Sequence, residues 1–306
     1  MYQQNHVLIK VVAFVLGFFR RIVLLFKIHG FQMVFIHREA LPVGPPIIEY
    51  IISRVLKKKI IYDFDDAIWL PNTSEQNSLA GKLKYYQKVK DICQWSWKVS
   101  CGNEFLAEFA REFNDQVYIN PTTIDSSYHK PKIKNSTNKQ ITIGWTGSHS
   151  TTKYLKPLVP VLEELRNRYS IQIQIISNQK PDWDFNDYDF IKWNKENEIE
   201  QLDKIDIGIM PLDDSVWEKG KCGFKALQYM AISKPAIVSD VGVNKIIIDH
   251  GANGFLCNNP EDWLKYLTKL IISESLRKSV GEQGRKKVIE SYSVQSNTRL
   301  FLTLFE

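Results

Sequence analysis

The chain has 306 residues, 44% hydrophobic and 24% charged, a globular balance with enough apolar material for two cores rather than one. Its net charge of +6 and isoelectric point near 8.9 admit nucleic acid, phosphorylated substrates or an anionic membrane face and do not choose among them. Cys93, Cys101, Cys222 and Cys257 form no C-x-x-C pair and no histidines stand at ligand spacing, so neither a zinc site nor a disulfide framework is suggested and a reducing cytoplasm fits.

The opening run HVLIKVVAFVLGFFRRIVLLFKIHG mixes apolar stretches with Lys10, Arg20, Arg21 and Lys27. No stretch reaches the roughly 20 apolar residues that span a bilayer, and basic residues interrupt what a secretory signal would keep apolar. Two readings stand: a core helix of the first domain, and a basic amphipathic helix on the inner membrane surface. Next come a β-prone run at Phe31–Ile36, helical spacing over Pro46–Lys57 and a strand at Ile60–Asp63. A polar stretch over Pro71–Ser78 precedes a helix over Lys82–Trp97, a strand at Val99–Cys101, a helix capped by Asn103 and a strand at Val117–Ile119. This alternation predicts a parallel, doubly wound α/β sheet.

Asn120–Gln140 is rich in Pro, Ser, Thr, Asn and Lys and marks a domain boundary, giving domains 1–135 and 136–290 with a helix over 291–306 returning towards the first. The pattern restarts with a strand at Ile141–Trp145, then a helix whose Leu155, Leu158, Leu162 and Leu165 share one face. Strands at Ile171–Ile176, Phe190–Trp193 and Asp206–Leu212, a helix at Gly223–Ile232, a strand at Ala236–Ser239 and helices after Pro260 and Glu282 follow. A second Rossmann-like half is the economical account.

Ligands of open α/β sheets bind outside the carboxyl ends of the strands. There the chain places Gly144, Thr146, Gly147 and Ser148, whose glycines let a backbone approach phosphate and whose hydroxyls can cap the next helix, although Gly and Ser are common at any such turn. The stronger element is Trp217–Ala231, where Gly220, Lys221, Cys222, Gly223 and Phe224 run into a helix whose N-terminus favours an anion. Lys225 and Gln228 share a face of that helix, one suited to phosphate and the other to a sugar hydroxyl. The plain alternative is a solvated lysine face. Trp193 reads as a base-flanking residue or a core tryptophan.

DIGIMPL from Asp206, GKCGFKALQYMA from Gly220, KPAIVSDVG to Gly242 and HGANGFL from His250 together resemble glycosyltransferase family 4. HREALPVGPP from His37, IYDFDDAIWL from Ile61, NPTTID from Asn120 and IGWTGSHST from Ile143 carry the same resemblance, from about Phe31 to the end. It implies the GT-B fold: two facing Rossmann-like domains with parallel sheets, here with the N-terminal one shortened by a first strand and loop. It also implies a retaining, metal-independent transfer without a cofactor, from a nucleotide-diphosphate sugar of UDP or GDP type to a glycan or lipid-linked acceptor. The setting would be cell-envelope polysaccharide synthesis, in the cytoplasm or peripherally on the membrane.

Many members carry two glutamates separated by seven residues; here the matching positions are Gly220 and Gln228. Gln228 still offers ribose a donor and an acceptor, whereas Gly220 offers the sugar nothing. Lys225 matches a lysine facing the diphosphate, Lys153 is the nearest substitute for a missing arginine, and Lys225 and Lys221 would stabilise the leaving group. His37, Arg38 and Glu39 after one strand and Asp65 and Asp66 after the next would rim the cleft, the acidic side chains orienting acceptor hydroxyls and His37 binding or polarising a group near the donor sugar, while Asp63 reads as a strand-end cap. An epimerase on the same fold, a truncated donor-binding protein with little transfer, and a basic nucleic-acid-binding module are the competing readings; the ordered glycine and lysine motifs argue against the last.

Overall fold

The computed structural model describes residues 7–71, 84–131 and 140–306. The polar stretch read at 71–78 and the start of the helix read at 82 fall largely outside them. The chain divides into Met1–Asn120 with Leu302–Glu306, and Pro121–Phe301. The boundary thus precedes the one read at 135/136, because Ile124 N donates to Tyr292 O at 2.8 Å and Val294 N to Ile124 O at 3.1 Å, fixing residue 124 inside the second unit. Most of the final helix, Val294–Leu302, belongs there too, and only Leu302–Glu306 joins the first unit. There Phe305 stacks on Phe35 and Lys98 Nζ donates to Thr303 O at 2.8 Å.

The first unit begins with the Val7–Lys27 helix, which contains no acidic residue, and a 3-10 turn, Ile28–Gly30. No helix among the described residues is long and apolar enough to cross a membrane. Four strands follow: β1 (Met33–His37), β2 (Lys59–Phe64), β3 (Lys98–Cys101) and β4 (Val117–Ile119). All pair in parallel in the order β1-β2-β3-β4, without a reversal of strand order. The predicted cap holds: the Asn103 side chain accepts from Leu106 N at 3.0 Å and starts the Glu104–Arg111 helix.

The second unit has six parallel strands: β5 (Ile141–Gly147), β6 (Ile171–Ser177), β7 (Asp189–Lys192), β8 (Ile207–Met210), β9 (Ala236–Ser239) and β10 (Gly254–Cys257). Their order is β10-β9-β8-β5-β6-β7, so the winding reverses between β5 and β8, the arrangement of a dinucleotide-type fold. Hydrophobic cover lies on two sides. One cluster joins Ile143, Trp145 and Ile173 to Leu155, Leu162, Leu165, Trp263 and Leu267, and another joins Met210 and Val238 to Leu227, Tyr229 and Met230. Strands covered on both faces need continuous apolar runs, as ITIGW, IQIQII, IGIM and AIVS nearly are. The helix read from the leucine spacing begins as a 3-10 segment, His149–Leu158, and becomes α-helical only over Val159–Arg168, where Pro160 sits in the first turn.

β5 and β8 pair only at Ile143↔Ile207 and Gly144↔Gly208. Beyond these pairs the Tyr229 hydroxyl fills the opening, accepting from Thr146 N at 2.9 Å and donating to Ile209 O at 3.3 Å. The ring reaches that point because residue 208 is glycine; an added Cβ there would overlap it. Burial pushes the Tyr229 phenol well up, so it stays a neutral bridge at the switch point.

Candidate functional site

In the second unit the site grows from the ends of β5 and β7 and from the Phe224–Ala231 helix. Gly223 opens that helix at φ 70°, the left-handed region, and packs against Ile247, so a side chain there would meet both backbone strain and overlap. Lys225 lies in the first turn, half-buried, with Nζ 5.4 Å from the centre of the Trp145 ring. Gly147 ends β5 beside it; a Cβ at 147 would stand 2.7 Å from Lys225 Cε. The glycine and the lysine named from sequence are therefore neighbours, and the glycine is what admits the lysine stem.

The preceding segment is pinned from below. Glu218 is buried, and its two oxygens accept from Tyr154 Oη and Ser215 Oγ, tying Val216–Lys219 to the 3-10 segment after β5. Lys221 lies 5.2 Å from the Trp217 ring centre, and Cys222 Sγ faces Gly220 O at 3.8 Å. Phe224 is exposed. Lys153 is exposed, over the Tyr154 ring at 4.9 Å.

Two of the glycine-loop residues need correction. Gly144 is buried in the body of β5 against Ile205, where any Cβ would overlap that side chain, so it is a packing position within the strand rather than part of the loop. Thr146 is likewise buried, its N–H committed to Tyr229. Ser148 alone of the group is exposed, sharing a 2.9 Å hydrogen bond with Ser150.

Trp193 is no core tryptophan: it is 43% exposed just after β7, with its N–H donating to Ser177 O at 2.8 Å. Its indole Nε1 donates to Glu198 Oε1 at 3.1 Å, and the buried Gln228 donates through Nε2 to the same oxygen at 3.2 Å. Trp193 and Gln228, paired by no sequence signal, meet through a residue that sequence reasoning missed. NKENEIEQL offers Glu196, Glu198 and Glu200, and nothing in the text says which turns inward.

His129 lies close by, buried, with Nδ1 donating to Asp125 O at 3.2 Å and Nε2 without a partner among the described residues. Burial pulls its pKa below the ordinary 6.5, against the opposing pull of Asp125 and Glu198. The unfolded chain therefore binds this proton first as pH falls, so the contribution is whole above 6.5 and declines below it, towards the lowered native value. Between pH 7 and 5 the unfolding midpoint is expected to fall more steeply in the natural chain than in His129→Gln; equal slopes would contradict this.

In the first unit a polar cluster stands at the carboxyl ends of three strands. Asp63 accepts from His37 Nδ1 at 2.7 Å and from Ser100 Oγ at 2.6 Å, joining β1, β2 and β3. It is thus more than a turn cap: it orients the exposed imidazole, leaving Nε2 3.8 Å from Asp65 Oδ1. Arg38, in the left-handed region at φ 62°, clamps Asp65 through Nε at 2.9 Å and Asp66 through Nη2 at 2.6 Å. Burial works against its charge, yet the two aspartates raise its pKa above the ordinary guanidinium value. His37 and Asp65, named together from sequence, do lie together.

Known structures of the same shape include HepE of Anabaena, solved with UDP and glucose, at TM-score 0.72 and 11% identity, covering 94% of this chain and 81% of that one. A glycosyltransferase of Rickettsia africae aligns at TM-score 0.67 and 14% identity over 100% of this chain and 84% of its own. Sucrose-phosphate synthase of Thermosynechococcus elongatus aligns at 0.66 and 12%, covering 90% and 74%. At these identities the likeness shows the fold: an α/β chain of the GT-B class. Residues 186–287 match the family Glycosyl transferases group 1. An uncharacterized glycosyltransferase of Methanocaldococcus jannaschii is 45% identical over 67 residues, 21% of this chain and about a fifth of that protein.

Proposed function

We propose that the chain transfers a sugar, with retention, from a nucleotide-diphosphate donor of UDP or GDP type to a glycan or lipid-linked acceptor in cell-envelope polysaccharide synthesis. The observation that carries the donor half is the half-buried Lys225, set in the first turn of an eight-residue helix beside Gly147. A helix N-terminus and a partly desolvated ammonium suit a diphosphate, and both act most strongly on the charge that develops as the anomeric bond breaks. Lys221 and the backbone of Cys222–Phe224 complete the anion-facing segment. HepE, which shares this shape, was solved with UDP and with UDP-glucose. The His37 and Asp65 cluster would orient acceptor hydroxyls, and the proposal routes no step through a metal or a cofactor. Unfolding in the presence of UDP, GDP and ADP tests it: one of the three is expected to raise the midpoint, by about 2.7 kcal/mol of stability at a hundred times its dissociation constant. No response to any of them would remove the donor site.

The reading extends to peripheral contact with an anionic membrane face. Phe19, Val23 and Phe26 are exposed on the Val7–Lys27 helix at 4- and 3-residue spacing, with Arg20 and Lys27 also exposed. Cosedimentation with phosphatidylglycerol vesicles is expected, to fall at high salt and to be lost in Phe19→Ser/Phe26→Ser. Equal binding to phosphatidylcholine, or none to either lipid, would refute the contact.

A further inference from the structure

We infer that Glu198 is a positioning residue that locks the amide of Gln228, presenting its carbonyl oxygen as an acceptor for the ribose hydroxyls of a bound nucleotide, and holds Trp193 beside the base. This rests on the donor site proposed above. The carboxylate of Glu198 can only accept hydrogen bonds, and the indole of Trp193 can only donate. Of the two ends of the Gln228 amide, only the NH2 can therefore face Glu198, and the 3.2 Å contact from Nε2 turns Oε1 away from it.

Without this partner a glutamine presents oxygen or nitrogen to a ligand with little preference, because the two ends are nearly equal in size. With it, a neutral side chain behaves towards a hydroxyl as a carboxylate would, and adds no second negative charge near a diphosphate. The same Glu198 oxygen accepts from Trp193 Nε1 at 3.1 Å, so the exposed ring cannot turn without breaking that bond. Glu198 is itself well placed, as the first residue of the Glu198–Asp203 helix, where a carboxylate is favoured. The turn before it is fixed by Asn194 Oδ1 accepting from Glu196 N at 3.0 Å and by Tyr128 Oη donating to Lys195 O at 3.0 Å.

The test uses whichever of UDP or GDP the natural chain binds, with its 2′,3′-dideoxy analogue, and reads both dissociation constants by calorimetry. The natural chain is expected to prefer the ribose form by about tenfold; Glu198→Gln, whose amide oxygen can still accept from both partners, should keep that preference, and Glu198→Leu, which has no acceptor, should lose most of it while weakening the dideoxy form much less. Gln228→Glu sets a carboxylate against Glu198 and should weaken the ribose form by a similar factor. Glu198→Gln/Gln228→Glu restores an acceptor facing ribose and a donor behind it, and should recover binding to within about threefold of the natural chain. Equal losses for both ligands in Glu198→Leu, an undiminished ribose preference in that variant, or a double variant no better than Gln228→Glu would each overturn the inference. If the natural chain binds neither nucleotide, the donor site fails first, and that outcome is told apart because it appears before any substitution.

Discussion

Gly281→Ala is expected to destabilise the second unit by about 2 kcal/mol, although alanine is the better helix former. The substitution gains about 1 kcal/mol of helix propensity in the Glu274–Lys287 helix. Against that, an added Cβ would overlap the carbonyl oxygen of Ser233, a backbone atom with no rotamer to escape into. Overpacking of this kind costs about 3 kcal/mol when the backbone must move, so the clash wins. Ser233 is itself at φ 58°, and Arg285 Nη1 donates to Ala231 O, so the turn ending the Phe224–Ala231 helix is already fixed from two sides and cannot yield cheaply. In a unit of this size the midpoint should fall by about 4–8 °C. Gly30→Ala, which meets nothing within 4 Å, serves as the control and should leave it near its natural value. An unchanged midpoint in Gly281→Ala would mean the two helices part more easily than their packing implies.

Lys225→Met is expected to remove most of the nucleotide response while leaving the fold intact. Methionine keeps an apolar stem beside Gly147 and Trp145, so little packing is lost, and only the charge goes. A charge-assisted hydrogen bond to phosphate is worth about 1.5–3 kcal/mol, or roughly 10- to 150-fold in affinity. At a ligand concentration giving the natural chain about 2.7 kcal/mol, a thirtyfold weaker variant would keep about 0.9 kcal/mol. Transfer should fall further than binding, because the diphosphate carries more charge in the transition state than in the donor. An undiminished nucleotide shift would move the diphosphate away from this helix, and a loss of stability without ligand would recast Lys225 as a packing residue.

The sequence showed much of the frame because the frame is periodic. Runs such as IQIQII and the leucines from 155 to 165 announce a strand and a helix face, and Asn103 announces a cap. Strand β10 was absorbed into the HGANGFL motif, since four residues beginning with glycine carry almost no period. At the candidate site, the positions of Gly147 and Lys225 were legible because a glycine at a strand end and a lysine at a helix start have local reasons to be there. Gly144 misled for the same reason: only the position of Ile205, sixty residues on, shows that this glycine serves packing. Glu198 lay beyond such reading, and so did the clamp that Arg38 makes on Asp65 and Asp66, since each acts through partners that the fold, not the local text, brings near.

The segment Leu302–Glu306 has a consequence for how the chain is made. Lys98 reaches Thr303 across 205 positions, and Phe35 waits for Phe305 across a longer span still. During synthesis at about 5–20 residues per second, all of residues 121–301 are made between the body of the first unit and its last piece. The half that is translated first is therefore completed last, when Thr303 and Phe305 reach Lys98 and Phe35.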